Sequence, residues 1–195
     1  MVLMIALLST VALSSYTHTT STFRFLSEYK QLRSPLDIAR SYAITNRRVA
    51  GGVPDRYGVC VSAEAVVVFA DVGDLPMRFD PDGAFEKGAC KRGGEGPLED
   101  AEVDVVISSH VFGEEYSVKA FEYAEAANLL ADSVEEDDPF VLIFYESDGT
   151  VTVIHDDLPI STANAEFFLS FHEEGRSQFE KNIKIYLLTG LADEI

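Results

Sequence analysis

The chain has 195 residues, 47% of them apolar, which suffices for one sizeable hydrophobic core, or one core and an anchoring helix, but not for two large domains. Its formal net charge of −18 argues against a nucleic-acid partner, because the phosphate backbone attracts clustered Lys and Arg side chains. Residues 1–56 carry seven basic and three acidic side chains, a net charge of +4, so the remainder carries −22. A basic N-terminal part and an acidic remainder would attract each other between copies, which favours self-association. The alternative explanation of the same charge is a solvated surface adapted to salt or heat.

The first 23 residues contain no charged side chain. In a helix, their apolar side chains would point in all directions around the axis, so lipid or protein must enclose the segment. We predict that these side chains form the assembly surface, and they are Val2, Leu3, Ile5, Leu7, Leu8, Val11 and Leu13. A helix over residues 1–23 would be about 35 Å long, which is enough to cross a bilayer.

A secretory signal peptide is the competing interpretation of this segment, with cleavage after Ala12-Leu13-Ser14. Such a signal normally opens with positive charge, whereas the first basic residue here is Arg24. We therefore expect a retained helix whose leading basic portion has been removed.

This N-terminal pattern resembles the mature subunits of type IV pili and related archaeal filaments, over about residues 1–35. The run Met1-Val-Leu-Met-Ile-Ala-Leu-Leu occupies the place of the family's apolar helix. Ile5 stands where bacterial pilins usually keep a glutamate, and archaeal pilins generally lack that glutamate, so the archaeal relatives match better. The resemblance implies a helix that first sits in the membrane and then packs with its copies along the core of a filament, leaving the heads outside.

Beyond the apolar run, the hydroxyl-bearing and β-branched residues at 17–22 predict a bend. Apolar side chains then recur at helical spacing and predict an amphipathic continuation that docks on the head. Those side chains are Phe25, Leu26, Tyr29 and Leu32. Ser34-Pro35 predicts a helix restart. Its inner face would hold Leu36, Ala39 and Tyr42. We accordingly divide the chain into an N-terminal helix, 1–33, and an acidic β-rich head, 34–195.

The head is predicted to be mostly strands. A hairpin is expected at 59–69, and a long irregular excursion at 71–100. A strand is expected at 103–107, and a helix at 117–132, where apolar residues lie near one helical face. The clearest signal is Asp148-Gly149 between two β-rich runs, which predicts a second hairpin. Residues 167–171 are ambiguous between helix and strand, and 183–188 predict a closing buried strand.

The predicted fold class is therefore α+β: a long N-terminal apolar helix followed by an antiparallel β-rich globular head with one or two helices. Cys60 and Cys90 are the only two cysteines, and in an extracellular chain we expect a disulfide between them. Two buried free thiols are the alternative.

Sites for chemistry are poorly supported by the sequence. His155-Asp156-Asp157 and His172-Glu173-Glu174 lack the spacing of a known metal motif, and Glu135-Glu136-Asp137-Asp138 is typical of a solvated helix end. No phosphate-binding or nucleophile motif occurs. We predict no catalytic residue, no metal and no cofactor.

The leading hypothesis is a structural, non-enzymatic subunit of an extracellular type IV pilus-like filament on the cell surface. Its partners would be copies of itself and, before assembly, the membrane, with the head displayed for adhesion, motility or surface contact. Two alternatives stay open: a single-pass membrane-anchored binding module and a secreted enzyme with an N-terminal signal.

Overall fold

A computed structural model describes residues 2–49, 54, 56–71, 105–122, 129–130, 140–155, 158–159 and 166–195, with no side-chain description for 2–15, 17–18, 71, 105, 122 and 158–159. Within these ranges the chain forms one helix, α1 (Val2–Ile44), and ten strands. The strands are β1 (Arg56–Ser62), β2 (Ala65–Asp71), β3 (Val105–Val111), β4 (Tyr116–Glu122), β5 (Phe140–Tyr145), β6 (Val151–His155), β7 (Leu158–Pro159), β8 (Glu166–Glu173), β9 (Arg176–Tyr186) and β10 (Leu191–Glu194).

Helix α1 runs without a break through both places where the sequence predicts an interruption. The bend expected at 17–22 is wrong, and there the Thr20 hydroxyl donates to the Tyr16 carbonyl, 2.9 Å away within the helix. The restart expected at Ser34-Pro35 is also wrong, because α1 continues through Pro35 to Ile44.

The reason for this continuity is an inner seam of buried residues spaced alternately four and three apart. The inner seam consists of Phe25, Tyr29, Leu32, Leu36, Ala39 and Ala43. A proline inside a helix costs about 3 kcal/mol. Burying one large apolar side chain gains about 1.5–3 kcal/mol, so Leu32 and Leu36 on either side of Pro35 together offset that cost.

The strands form two antiparallel sheets. The first has the order β3-β2-β1-β5-β6-β7 and the second has the order β10-β9-β8-β4. The inner seam of α1 belongs to one hydrophobic core with residues from both sheets, for example Val59 of β1 and Phe171 of β8. The other face of the first sheet holds a second buried cluster that includes Cys60, Phe69 and Phe144. A long helix on an antiparallel β-rich head is thus the observed architecture.

Both predicted hairpins are confirmed. Strands β1 and β2 pair from Arg56–Asp71 to Val61–Val66, and β5 pairs with β6 from Tyr145–Val151 to Val141–His155. At the turn of the second hairpin, Gly149 has φ of +89°, a conformation that favours glycine. The carboxylate of Asp148 accepts the Thr150 N–H at 2.8 Å, which fixes the turn.

The helix predicted over residues 117–132 is wrong. Residues 116–122 form strand β4, which pairs with β8, and residues 123–128 and 131–132 lie outside the described ranges. Tyr116, Val118 and Ala120 are buried at alternate positions, which is the period of a strand. The ambiguous residues 167–171 are strand as well, in β8.

The two sheets are joined by backbone hydrogen bonds at both ends. In the β1–β2 turn, the Ala63 carbonyl accepts the Val118 N–H of β4 at 2.9 Å. At the other end, the Val151 N–H of β6 donates to the Leu187 carbonyl, just after β9, at 2.7 Å. The expected closing strand, 183–188, is largely β9, and β10 follows it as the edge of the second sheet.

Candidate assembly surface on helix α1

All seven predicted assembly residues lie on α1, but their side chains are outside the described set. Their role therefore stays a prediction. In the part of the chain that the structure describes, no helix combines the length and the apolar character needed to span a membrane.

The predicted cysteine pair is half described. Cys60 lies in β1, is completely buried and is bonded in a disulfide. Cys90 lies outside the described residues, as does most of the 71–100 excursion. The pairing of Cys60 with Cys90 stays a prediction.

The first point at which the described part of α1 enters the core is Phe25. Its ring lies 5.4 Å from the ring of Phe171 on β8 and 5.4 Å from that of Phe179 on β9. Tyr116 of β4 stacks on Phe171 at 5.7 Å. Aromatic pairs at these distances add about 0.5–1.5 kcal/mol each to the burial of their surface, so the cluster is a strong anchor for the helix.

Polar contacts fix the same stretch of α1 from several directions. His110 Nε2 of β3 lies 2.7 Å from the Glu28 carboxylate, and the Arg33 guanidinium lies 3.5 Å from the Glu194 carboxylate of β10. Arg40 Nε donates to the Thr189 carbonyl at 3.1 Å. These groups hold residues 25–44 in one position on the head.

On the N-terminal side of Phe25, α1 exposes two large aromatic side chains. Tyr16 is 71% exposed and Phe23 is 68% exposed, whereas Phe25, on the opposite face, is 3% exposed. The two rings lie seven residues apart on one face of α1 and are available to a partner. The sequence reasoning missed Tyr16 and Phe23, although their seven-residue separation on the face opposite the inner seam was a readable signal.

A groove of about 450 Å³ lies where α1 meets the head. It is lined by Tyr16, Thr20, Ser21 and Arg24 of α1 and by Glu115, Tyr116, Glu173 and Arg176 of the head. Glu173 is buried, and its Oε1 pairs with Arg176 at 3.0 Å, while its Oε2 has no hydrogen-bond partner. Burial raises the pKa of the Tyr116 hydroxyl, and the charge of Glu115 raises it further.

The histidines considered as metal ligands have other partners. His155 Nε2 lies 2.9 Å from the Leu129 carbonyl, and His172 Nε2 lies 3.0 Å from the Ser117 hydroxyl. Burial lowers the pKa of His172, and the charge of Lys119 lowers it further. Among the described residues, no group of three or more His, Cys, Asp or Glu side chains is arranged to hold a metal ion. The acidic run 135–138 is outside the described ranges.

No protein-family model matches the chain, and no curated protein matches it. Two crystal forms of the type IV minor pilin FimU of Pseudomonas aeruginosa are similar to it in structure. The first shares 11% identity over 90% of each chain with a TM-score of 0.45. The second shares 12% identity over 87% of this chain and 91% of that chain, with a TM-score of 0.43. Because both scores lie below 0.5, the function is inferred from the geometry of this chain alone.

Proposed function

We propose that this protein is a structural subunit of a type IV pilus-like filament, of the archaeal type, that polymerises through the N-terminal part of α1. One observation carries the proposal: a single helix whose residues 25–44 are fixed to the head continues, toward its N-terminus, into a stretch that exposes Tyr16 and Phe23. The uncharged residues 1–23 extend that stretch.

The physical requirement behind the proposal is the removal of apolar surface from water. The segment 2–13 is apolar except for Ser9 and Thr10, and burial of apolar surface contributes about 25 cal/mol per Å². Sister helices bundled side by side provide such an environment. Before assembly, the same segment would be held in the membrane. The same segment would therefore be surrounded first by lipid and then by sister helices.

The charge distribution supports the same function. The net charge of −22 on residues 57–195 keeps heads soluble on the outside of a fibre, while the +4 of residues 1–56 offsets part of it near the core. The role of the subunit is mechanical and adhesive rather than catalytic, and its location is the cell surface.

The experiment is electron microscopy of material sheared from cells that produce the protein, labelled with an antibody against the head. Labelled fibres are the expected result. A labelled protein that stays in the membrane fraction as a monomer or dimer would instead indicate an anchored binding module. A mature chain that begins after about Ser14 by mass spectrometry would indicate a cleaved signal, and would overturn the proposal.

A further inference from the structure

The groove where α1 meets the head contains a buried carboxylate with one oxygen left over. Glu173 lines the groove, is only 8% exposed, and its Oε1 pairs with the Arg176 guanidinium at 3.0 Å. Its second oxygen, Oε2, is buried and has no hydrogen-bond partner. Buried polar atoms in folded proteins nearly always have a partner, because a buried acceptor without one is destabilising. Glu173 Oε2 therefore indicates a ligand that donates a hydrogen bond.

The charges around the groove favour a cationic ligand. Tyr116 also lines the groove, and the charges that act on its hydroxyl come from three carboxylates and one guanidinium. The carboxylates are Glu115, Glu173 and Glu28, and the guanidinium is that of Arg24. With Arg176 counted as a second cation, and His110 beside Glu28 as neutral, one negative charge remains. A single positive charge on the ligand balances it.

The single oxygen that remains on Glu173 selects an ammonium group. A guanidinium is a planar fork that binds a carboxylate best through two parallel hydrogen bonds, one to each oxygen. Here Oε1 is already bonded to Arg176. An ammonium group is a compact charge with three N–H donors, so it can bond to one oxygen of Glu173. Its other donors can bond to oxygens elsewhere in the groove, such as those of Glu115 and Thr20.

Two tyrosine rings provide the apolar part of the groove. Tyr16 of α1 and Tyr116 of β4 both line it. An aromatic ring attracts a cation that lies over its face, and it also covers the alkyl chain that carries the charge. The volume of about 450 Å³ lies within the range of about 300–1,000 Å³ that is typical of small-molecule sites.

The groove can admit such a ligand without movement of the backbone. Three of its side chains are exposed, and they are Tyr16, Arg24 and Arg176. Exposed side chains change rotamer within picoseconds to nanoseconds, so they can open the way to Glu173 Oε2. A metal ion is a poorer occupant, because the described residues offer no group of three or more side chains arranged to bind one.

We propose that the groove where α1 meets the head is a binding site for a small molecule that carries a primary ammonium group. Glu173 Oε2 accepts one N–H of the ammonium, and Glu115 provides a second carboxylate. The rings of Tyr16 and Tyr116 flank the alkyl chain of the ligand. The site does not depend on filament formation, because the residues assigned to it all belong to one copy of the chain.

The experiment is an NMR titration of the full-length protein, with ¹³C-labelled tyrosine, in a non-ionic detergent at low ionic strength. The chain has eight tyrosines, so the spectrum is simple, and Tyr16→Phe identifies one signal of the site. The probe is n-butylammonium chloride, which should shift the signals of Tyr16 and Tyr116. n-Butyltrimethylammonium has the same charge but no N–H donor, so it should bind at least about tenfold more weakly.

Two variants test the carboxylates. Glu173→Gln removes the charge of the buried group and should weaken binding of n-butylammonium at least about tenfold. Glu174→Gln is the matched control: Glu174 is exposed, is not among the residues that line the groove, and loses the same charge, so the affinity should stay within about twofold. Because Glu115 is exposed, Glu115→Gln leaves the core intact, and it should weaken binding about two- to fivefold.

Several results would overturn the proposal. Equal affinities for n-butylammonium and n-butyltrimethylammonium, or equal effects of Glu173→Gln and Glu174→Gln, would show only general attraction to an acidic protein. If Glu173→Gln does not fold, the comparison of the two probes and the Glu115→Gln variant decide the question. A carbodiimide cross-link between Glu115 and a lysine of another copy in assembled fibres would assign the ammonium group to a neighbouring subunit instead of a small molecule.

Discussion

The two parts of helix α1 share one continuous backbone and differ in what surrounds them. Residues 25–44 bury a seam every third or fourth position and make hydrogen bonds to β3, to β10 and to the turn between β9 and β10. The described side chains before residue 25 instead include two aromatic rings in water. The second part is thus an integral layer of the head, and the first part is the one through which we propose that copies associate.

Phe23 and Phe25 allow the most direct comparison. Both are phenylalanines in one turn of α1, but Phe23 is exposed to water and Phe25 is buried in the core. Phe25→Ala should lower the free energy of unfolding by about 3–5 kcal/mol, since it leaves a cavity among the rings of Phe171 and Phe179. Phe23→Ala is the matched control and should change it by no more than about 0.5 kcal/mol. Urea denaturation of the two variants measures both values, and equal losses would show that the two faces do not differ.

The predicted disulfide should contribute measurably to the stability of the head. Reduction of the Cys60 disulfide should lower the free energy of unfolding by roughly 3–4 kcal/mol, because the open chain gains conformational entropy. Mass spectrometry of peptides from the non-reduced protein should show Cys60 joined to Cys90. A peptide that joins two copies of Cys60 would contradict the pairing.

Tyr145 of β5 lies in the same hydrophobic core as the inner seam of α1 and is completely buried. Its hydroxyl has no hydrogen-bond partner. Tyr145→Phe removes a polar group that pays the cost of desolvation without a bond, and should raise the free energy of unfolding by about 1 kcal/mol. Thermal unfolding at neutral pH checks the sign. A lower melting temperature for the variant would show that the hydroxyl is bonded.

The buried tyrosines also make the head sensitive to alkali. Burial raises the pKa of Tyr29, Tyr57, Tyr116 and Tyr145 above the ordinary value of about 10. Above pH 10 the unfolded chain releases these protons while the folded chain keeps them, so stability is full below pH 10 and falls as the pH rises further. Tyr145→Phe should make that fall shallower in denaturation series between pH 9 and 11.

The ion pair between Arg33 and Glu194 should have the smallest effect. Both side chains are about one-third exposed, and such pairs contribute at most about 1 kcal/mol. Glu194→Gln also removes the pair between Glu194 and Lys181, and it should lower the free energy of unfolding by less than about 1 kcal/mol per pair, and by less still in high salt. A loss as large as that of Phe25→Ala would mean that charge rather than packing holds α1 to the head.

The sequence predicted the features whose signals are local and agree with each other. The Asp148-Gly149 hairpin is one, since the turn and both flanking strands are readable over a dozen residues. The inner seam at Phe25, Tyr29 and Leu32 is another. The prediction is wrong where a local signal competes with tertiary packing. Ser34-Pro35 predicts a helix start, but the buried residues on both sides of Pro35 keep the helix continuous.

Other features could not be predicted because they depend on which strands pair. The sequence predicts a helix where β4 lies, because the alternating burial of β4 arises only from its pairing with β8. The groove where α1 meets the head likewise draws on α1, β4, β8, β9 and the turn before β4, which lie far apart in the sequence.

The most direct measurement compares the full-length protein with its Leu7→Asp variant, with filaments imaged by electron microscopy and the fold of the head followed by circular dichroism. A carboxylate among bundled apolar helices would have to be buried without a partner, at a cost of several kcal/mol per subunit. We expect no filaments from Leu7→Asp and an unchanged spectrum of the head. Normal filaments from this variant would contradict assembly through the N-terminal part of α1.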